Sequence, residues 1–319
     1  MDLDLTQVRA FVAAADGLHF GRAATQLFLT QQALSKRILR LEQALGEQLF
    51  VRGTRGVELS DAGRRFLPHA RQLLAAADAA AFAAHPASWP LRIDVWGHVQ
   101  APLRMIRSIL TTTPELTIEL SMRRSLLAAL EAIGRSEIDA CFGRAHDLAR
   151  PWPSGLSRRP VLLERLAVAV SVGHRLADAA ILTPAGLAGH RFSLPASGTA
   201  SEVHGWARQF ADHFGLRLDT SGHNLGQEYT LDQLKADPQR FTLVGVDWPI
   251  PANADIRLIH LEPTPGYLWS LVWQKENQHP LLDLLVELCV KAAHTEGWMA
   301  YDPEHDWLPS IDRADLRDT

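Results

Sequence analysis

The stretch TQQALSKRILRLE, residues 30–42, carries two patterns at once. Leu34, Ile38 and Leu41 recur at i, i+4 and i+7, and Leu45 extends the set, so one stripe of a 3.6-residue helix is predicted to be buried. Gln31, Gln32, Ser35 and Lys36 occupy another face at the start of the same helix, with Arg40 one turn further on. Thr30 is the predicted N-cap, its hydroxyl placed to accept a backbone N–H two or three residues on, and Gly46 marks the end. Amides, a hydroxyl and cations on the first turns of a helix are placed to reach groups outside the protein.

Upstream, Leu5, Val8, Phe11, Val12 and Ala15 form a helical stripe that stops before Asp16-Gly17. A second, short helix is predicted from Gly21 or Arg22 to Phe28, burying Ala23, Ala24 and Leu27. Three helices with so short a joint between the second and third make a helix-turn-helix. Downstream, LFVRGTRGVELS (49–60) reads as two short strands around Gly53-Thr54-Arg55-Gly56, a wing beside the third helix. The major groove of B-DNA admits one helix whose N-terminal residues meet base edges. Thr30, Gln31, Gln32, Ser35, Lys36 and Arg40 are therefore candidate DNA contacts. Arg52 and Arg55 of the wing are candidates for the sugar-phosphate backbone or the adjacent minor groove. A solvated helix face is the competing reading. Charge favours DNA locally: net charge is -4 overall, yet from Lys36 to Arg71 eight cations stand against four carboxylates. Leu39 projects with Gln32, Lys36 and Gln43 and is out of place there.

Ser60 is the predicted cap of a further helix through DAGRRFLPHARQLLAAADAAAFAAH (61–85), with Asp61 favourable at its N-terminal dipole. Phe66, Ala70, Leu73 and Ala77 recur about every 3.5 residues beside Leu74. These five are the candidate dimerisation residues, pairing the helix with its twin in a homodimer or homotetramer; an intramolecular bundle is the alternative. Pro68 predicts a kink.

At 319 residues the chain has room for two or more domains, and no run of about 18 apolar residues occurs. The opening MDLDLTQ has acids where a signal peptide needs cations, so a cytoplasmic protein that makes no use of a membrane is expected. Cys141 and Cys289, each in an apolar stretch, are expected to be free buried thiols. No G-x-S-x-G, P-loop, G-x-G-x-x-G, H-E-x-x-H or C-x-x-C occurs, and His190, His204, His213 and His223 lack ligand-like spacing. No enzyme, cofactor or metal is expected.

Residues 3–63 resemble the LysR-type transcriptional regulators. The resemblance rests on the ungapped spacing of Phe11, Phe20, Ala23-Ala24, Leu27, Gln31, Ser35, Ile38, Leu41-Glu42, Leu45-Gly46, Leu49-Phe50, Arg52 and Ala62-Gly63. The chain departs from the family at Gly21, where a capping hydroxyl is usual, at Gln32, often proline, and at Leu39, usually polar. The resemblance implies an α/β chain. Its parts would be an N-terminal winged helix-turn-helix (1–60), a long linker helix for dimerisation (61–88), and a two-lobed, periplasmic-binding-protein-like effector domain (89–300), before a tail (301–319).

The second part reads as β-α-β-α-β: strands LRIDVWG (91–97), ELTIELSM (115–122) and SEIDACFGR (136–144) around helices near Val99 and over Leu126 to Ile133. Lobe I is expected over 91–160 and 268–300, and lobe II over 161–267. Parallel sheets bind ligands at strand C-terminal ends. Trp96, Gly97 and His98, Arg123 and Arg124, with Ser197, Thr199 and Ser201 of the loop ASGTAS, are therefore candidate effector contacts, suited to a small carboxylate or other anion. The family's usual glycine-rich pattern in the second lobe is replaced by ADPQRFTLVGVDWP. The expected function is a sequence-specific regulator binding double-stranded DNA under control of a small-molecule effector. A small-molecule sensor with a degenerate DNA module is the alternative.

Overall fold

The computed structural model describes residues 3–27, 29–53, 56–84, 90–148, 151–195 and 202–317. The chain divides into two compact units, residues 1–89 and 90–319.

In the first unit, α1 (Leu5–Gly17), α2 (Phe20–Gln26) and α3 (Gln31–Leu45) enclose an apolar core. Helix α2 starts at Phe20, earlier than the pattern predicts, because the His19 ring nitrogen accepts the Arg22 N–H at 3.2 Å and so caps it. Thr30 caps α3 as expected, accepting the Ala33 N–H at 3.2 Å, and Gly46 ends it at φ 73°. Leu34, Ile38 and Leu41 are buried. Alanines 10, 14, 23 and 24 pack with Leu34, small enough to let the helices approach closely.

Strands β1 (Phe50–Gly53) and β2 (Gly56–Leu59) pair antiparallel, with Phe50 opposite Leu59. Helix α4 (Asp61–Ala84) is capped by Ser60, whose hydroxyl accepts the Gly63 N–H at 2.9 Å, and it continues through Pro68. At Gly63 a Cβ would stand 2.1 Å from the Leu49 carbonyl oxygen, so only glycine lets α4 start against this strand.

Of the five expected dimerisation residues on α4, Ala70 needs correction. Ala70 is 0% exposed within this unit's own core, the Phe66 ring lies 5.3 Å from Phe11, and Leu73 and Leu74 are half-buried against the same cluster. Arg71 pairs with Asp16 at 2.5 Å. The apolar period of the first turns continues the stripe of α1, so that stretch packs intramolecularly and Ala70 is unavailable to a twin. Ala77 is half-buried.

In the second unit, β3 (Leu91–Asp94), β4 (Ile118–Ser121) and β5 (Ala140–Gly143) are parallel in the order β4-β3-β5, with α5 (Ala101–Thr112) and α6 (Leu126–Gly134) as crossovers. Two long strands, β6 (Leu156–Ser171) and β12 (Thr264–Gln274), pair antiparallel and join both lobes. The second lobe is built on the far half of β6, which pairs with β10 (Arg240–Gly245) and β11 (Ile256–Leu261). To these it adds β7 (Ile181–Leu182), β8 (Arg191–Ser193), α7 (Glu202–Phe214), β9 (Leu218–Asp219) and α8 (Gln227–Ala236). Helix α9 (Leu282–Thr295) returns to the first lobe.

The segment after 300, expected to extend beyond the fold, is instead built into it. Strand β13 (Asp306–Trp307) pairs parallel to β12, and α10 (Ser310–Arg317) inserts Asp312 onto Arg144. Both side chains are fully buried, with the guanidinium Nε 2.8 and 3.1 Å from the carboxylate oxygens. Asp315 accepts from Arg158 at 2.8 and 3.0 Å. Trp307 packs on Trp206, Phe210 and Phe214 of α7. The aromatic and acidic residues that set this segment apart in the sequence are the groups that dock it.

Cys141 and Cys289 are free and buried, as expected. Burial pushes the Cys289 thiol up to about 12 and raises that of Cys141 well above its ordinary value. Among the described residues no helix is long and apolar enough to cross a membrane.

Candidate functional site

On α3 the buried stripe fixes which face is left over. Gln31, Gln32, Lys36 and Arg40 are exposed on it, Ser35 is half-buried, and Leu39 is 54% exposed among them. Thr30, by capping α3, has its hydroxyl turned to Ala33. The wing is held to the same helix by Glu42, whose carboxylate accepts the Leu49 N–H at 2.7 Å and the Phe50 N–H at 3.2 Å. Sequence reading had no role for this carboxylate. Of Arg52 only the backbone is described, paired with Val57 across the hairpin, and Arg55 lies outside the described residues.

The second unit contains a cavity of about 190 Å³ lined from both lobes and both connecting strands. Trp96 and His98 line it. Arg123 does not: its N–H and guanidinium serve the buried Asp94 at 2.9 and 3.4 Å, and Glu137 takes its other end at 3.2 Å. Strand β3 ends on Asp94, whose oxygens also accept the Trp96 N–H and the Ser121 hydroxyl at 3.0 Å each, and Arg123 joins this cluster. The next residue, Arg124, is the one that reaches the cavity. Ser197, Thr199 and Ser201 lie outside the described residues.

The rim is tightly specified. Trp96 at φ 68° and Arg124 at φ 56° both occupy the left-handed region, and the Arg124 N–H donates to the Trp96 carbonyl at 2.9 Å. Arg124 is exposed and makes no ion pair among the described residues. Its guanidinium lies beside Gly226, which starts α8 without a side-chain cap, leaving backbone N–H groups open there.

The deep end is aromatic and acidic. Trp206, Tyr267 and Trp269 line it, together with the buried Glu164. Glu164 accepts the Trp269 indole N–H at 2.8 Å, and burial pushes its carboxyl above the usual carboxylate range against the pull of that bond and of Arg104. Glu202, at the start of α7, accepts the Trp96 indole N–H at 2.8 Å and the Leu126 N–H at 2.9 Å, tying the lobes together; burial raises it too. These groups escaped sequence reading because Glu164 is one of four charged residues along β6 with nothing local to mark it as buried, and the tryptophans of the lining are scattered from 96 to 269.

Comparison with known proteins agrees with both units. Residues 5–64 match the bacterial regulatory helix-turn-helix protein, lysR family, and residues 91–294 match the LysR substrate binding domain. The chain is 35% identical over 171 residues to the HTH-type transcriptional regulator ClcR of Pseudomonas putida, covering 51% of this chain and 56% of that protein. It is 36% identical over 182 residues to a probable hydrogen peroxide-inducible genes activator of Mycobacterium xenopi, covering 54% of this chain and 92% of that protein. The match to ClcR thus spans little more than half of that relative's length. Among solved structures, full-length OxyR from Pseudomonas aeruginosa matches with a TM-score of 0.62 at 18% identity, over 92% of this chain and 95% of the other. Full-length CbnR complexed with its target DNA matches with a TM-score of 0.60 at 23% identity, over 91% and 100%. Those identities speak for the fold. The two family models between them cover both units, and the chain belongs to the LysR family of bacterial regulators.

Proposed function

We propose that the protein is a sequence-specific transcriptional regulator that reads duplex DNA with the exposed N-terminal edge of α3 and senses a small anionic effector in the cleft of its second unit. The observation that carries the reading is the division of α3 by its own stripe: Leu34, Ile38 and Leu41 are buried, so Gln31, Gln32, Ser35, Lys36 and Arg40 form an outward face. Amides and hydroxyls pair with base edges, and Lys36 and Arg40 suit phosphates. Arg52 and Arg55 of the wing complete the contact with the backbone or minor groove. In the cleft, Arg124 beside the uncapped start of α8 attracts a carboxylate or similar anion, with His98 and Trp96 around it. A homodimer or homotetramer sets the half-site spacing.

A fluorescence-anisotropy titration with duplex DNA from the region upstream of the protein's own gene tests this. Gln31→Ala is expected to cost about 1–3 kcal/mol on the specific duplex and little on a scrambled one. Lys36→Ala is expected to weaken both and to flatten the salt dependence. Equal affinity for both duplexes in the unaltered protein would overturn sequence-specific reading.

A further inference from the structure

At the aromatic end of the cleft three indole donors are already engaged. The indole N–H of Trp96 is given to Glu202, that of Trp206 to the Gly266 carbonyl and that of Trp269 to Glu164, each at 2.8 Å. The cavity therefore meets ring surfaces there. They stand at steep angles: Trp96 and Trp269 cross at 74° with centroids 6.2 Å apart, and Tyr267 lies 4.8 Å from Trp269. Two buried acids, Glu164 and Glu202, stand behind them. Arg104, 3.4 Å from Glu164, is shared with Asp247 at 3.7 Å. Among the described residues, the second oxygen of Glu202 and the buried Tyr267 hydroxyl have no hydrogen-bond partner. The basic side chains lining the cavity, Arg124 and His98, are exposed residues.

We propose that this aromatic end is a subsite for an alkylated ammonium group. The effector is then a small zwitterion, its carboxylate at Arg124 and its quaternary nitrogen against Trp96, Tyr267 and Trp269 with Glu164 alongside. Ring faces attract a cation through their quadrupole, most strongly where water is excluded. A quaternary nitrogen has no N–H to satisfy, which suits a wall whose three indole N–H groups already have acceptors. A cation placed there favours the ionised forms of Glu164 and Glu202, which burial alone disfavours; an uncharged group of the same shape lacks that gain, and a second anion adds repulsion. Gly245 makes room for the acid: a Cβ there would stand 2.3 Å from the Glu164 carboxylate oxygen.

The inference rests on the anionic-effector reading given above, and three probes separate the two. Glycine betaine and tert-butylacetate share shape and carboxylate and differ in having nitrogen or carbon at the branch, while tetramethylammonium carries the cation alone. Binding to the full chain is followed by tryptophan fluorescence and calorimetry. Glycine betaine is expected to bind about tenfold more tightly than tert-butylacetate, and tetramethylammonium to displace it. Glu164→Gln, which keeps the shape and an oxygen for Trp269, is expected to bring the ratio towards one with tert-butylacetate binding unchanged. Trp96→Phe, which keeps a ring, is expected to reduce the ratio less. Equal or tighter binding of tert-butylacetate would overturn the ammonium subsite and leave the anionic reading standing. Binding of tetramethylammonium with no gain from a carboxylate would overturn the zwitterion and the anionic reading, leaving a cation site alone. Failure of all three probes to bind would overturn the proposal, and a screen of small carboxylates without ammonium groups then decides whether the anionic reading falls with it.

Discussion

Gln31, Gln32 and Lys36 of α3 stand exposed, whereas Asp94, Glu164, Glu202 and Asp312 of the second unit are buried and each accepts from named donors. The same chain thus uses polarity in opposite ways. In the first unit an apolar stripe does the folding, and the polar residues are left free to meet something outside. In the second, carboxylates bind the lobes, the two long strands and the C-terminal helix together, and the cavity between is surfaced mainly by rings and aliphatic groups. The exposed polar residues of α3 are therefore expendable for stability, and the buried carboxylates of the second unit are not.

The sharpest break of that contrast comes from Asp312→Ala. It removes the buried partner of Arg144 and leaves Asp147 to pair with it, so the second unit is expected to lose up to about 3–5 kcal/mol in denaturant unfolding. Replacing both partners with apolar residues, Arg144→Met with Asp312→Leu, is expected to recover much of that loss. An unchanged midpoint in the single variant would show that the segment after 300 contributes no stability.

Glu42→Ala tests the exception in the first unit, a carboxylate turned inward. Two backbone N–H groups lose their acceptor, and thermal unfolding is expected to show a loss of about 1–3 kcal/mol. Leu39→Gln should fall at the other extreme, within about 0.5 kcal/mol of the parent, because the side chain is exposed. A larger loss would mean that this face is covered by something in the assembled protein.

The smallest effect concerns pH. Burial depresses the imidazole of His174, helped by the neighbouring His190, and burial likewise depresses that of His279. Each accepts a backbone N–H through Nδ1, from Leu176 and Leu281. Both favour the neutral form when folded, so their contribution is complete above the ordinary value of 6.5 and is lost as pH falls through the depressed folded values. Unfolding midpoints measured from neutral towards acid pH are expected to fall, with a shallower slope in the His174→Asn, His279→Asn double variant.

What could be read from the sequence follows the same divide. The helices, cap and wing of the first unit depend on contacts a few residues apart, and the stripe of Leu34, Ile38 and Leu41 together with Thr30 and Gly46 carries that information locally. The start of α2 was missed because a histidine ring, and not a hydroxyl, caps it. The pairing face of α4 was misjudged at Ala70 because an apolar period says that a stripe is buried and not against what. In the second unit the parallel strands were recognisable, yet the cavity wall joins Trp96, Glu164, Tyr267 and Trp269 from distant stretches. Arg123 and Arg124 are indistinguishable by type, and it is the three-dimensional cluster around Asp94 that takes up Arg123 while Arg124 lines the cavity. Asp312 lies 168 residues from Arg144, beyond any local pattern.

The clamp of Glu42 on Leu49 and Phe50 has a mechanical consequence for the proposed complex. Helix and wing move as one piece, so the spacing between the groove that receives the helix and the strand that meets the wing is set by the protein. A duplex whose own spacing differs must bend or twist to fit, at a cost that depends on the stiffness of base steps no side chain touches. Part of the operator's identity would then be written in its elasticity.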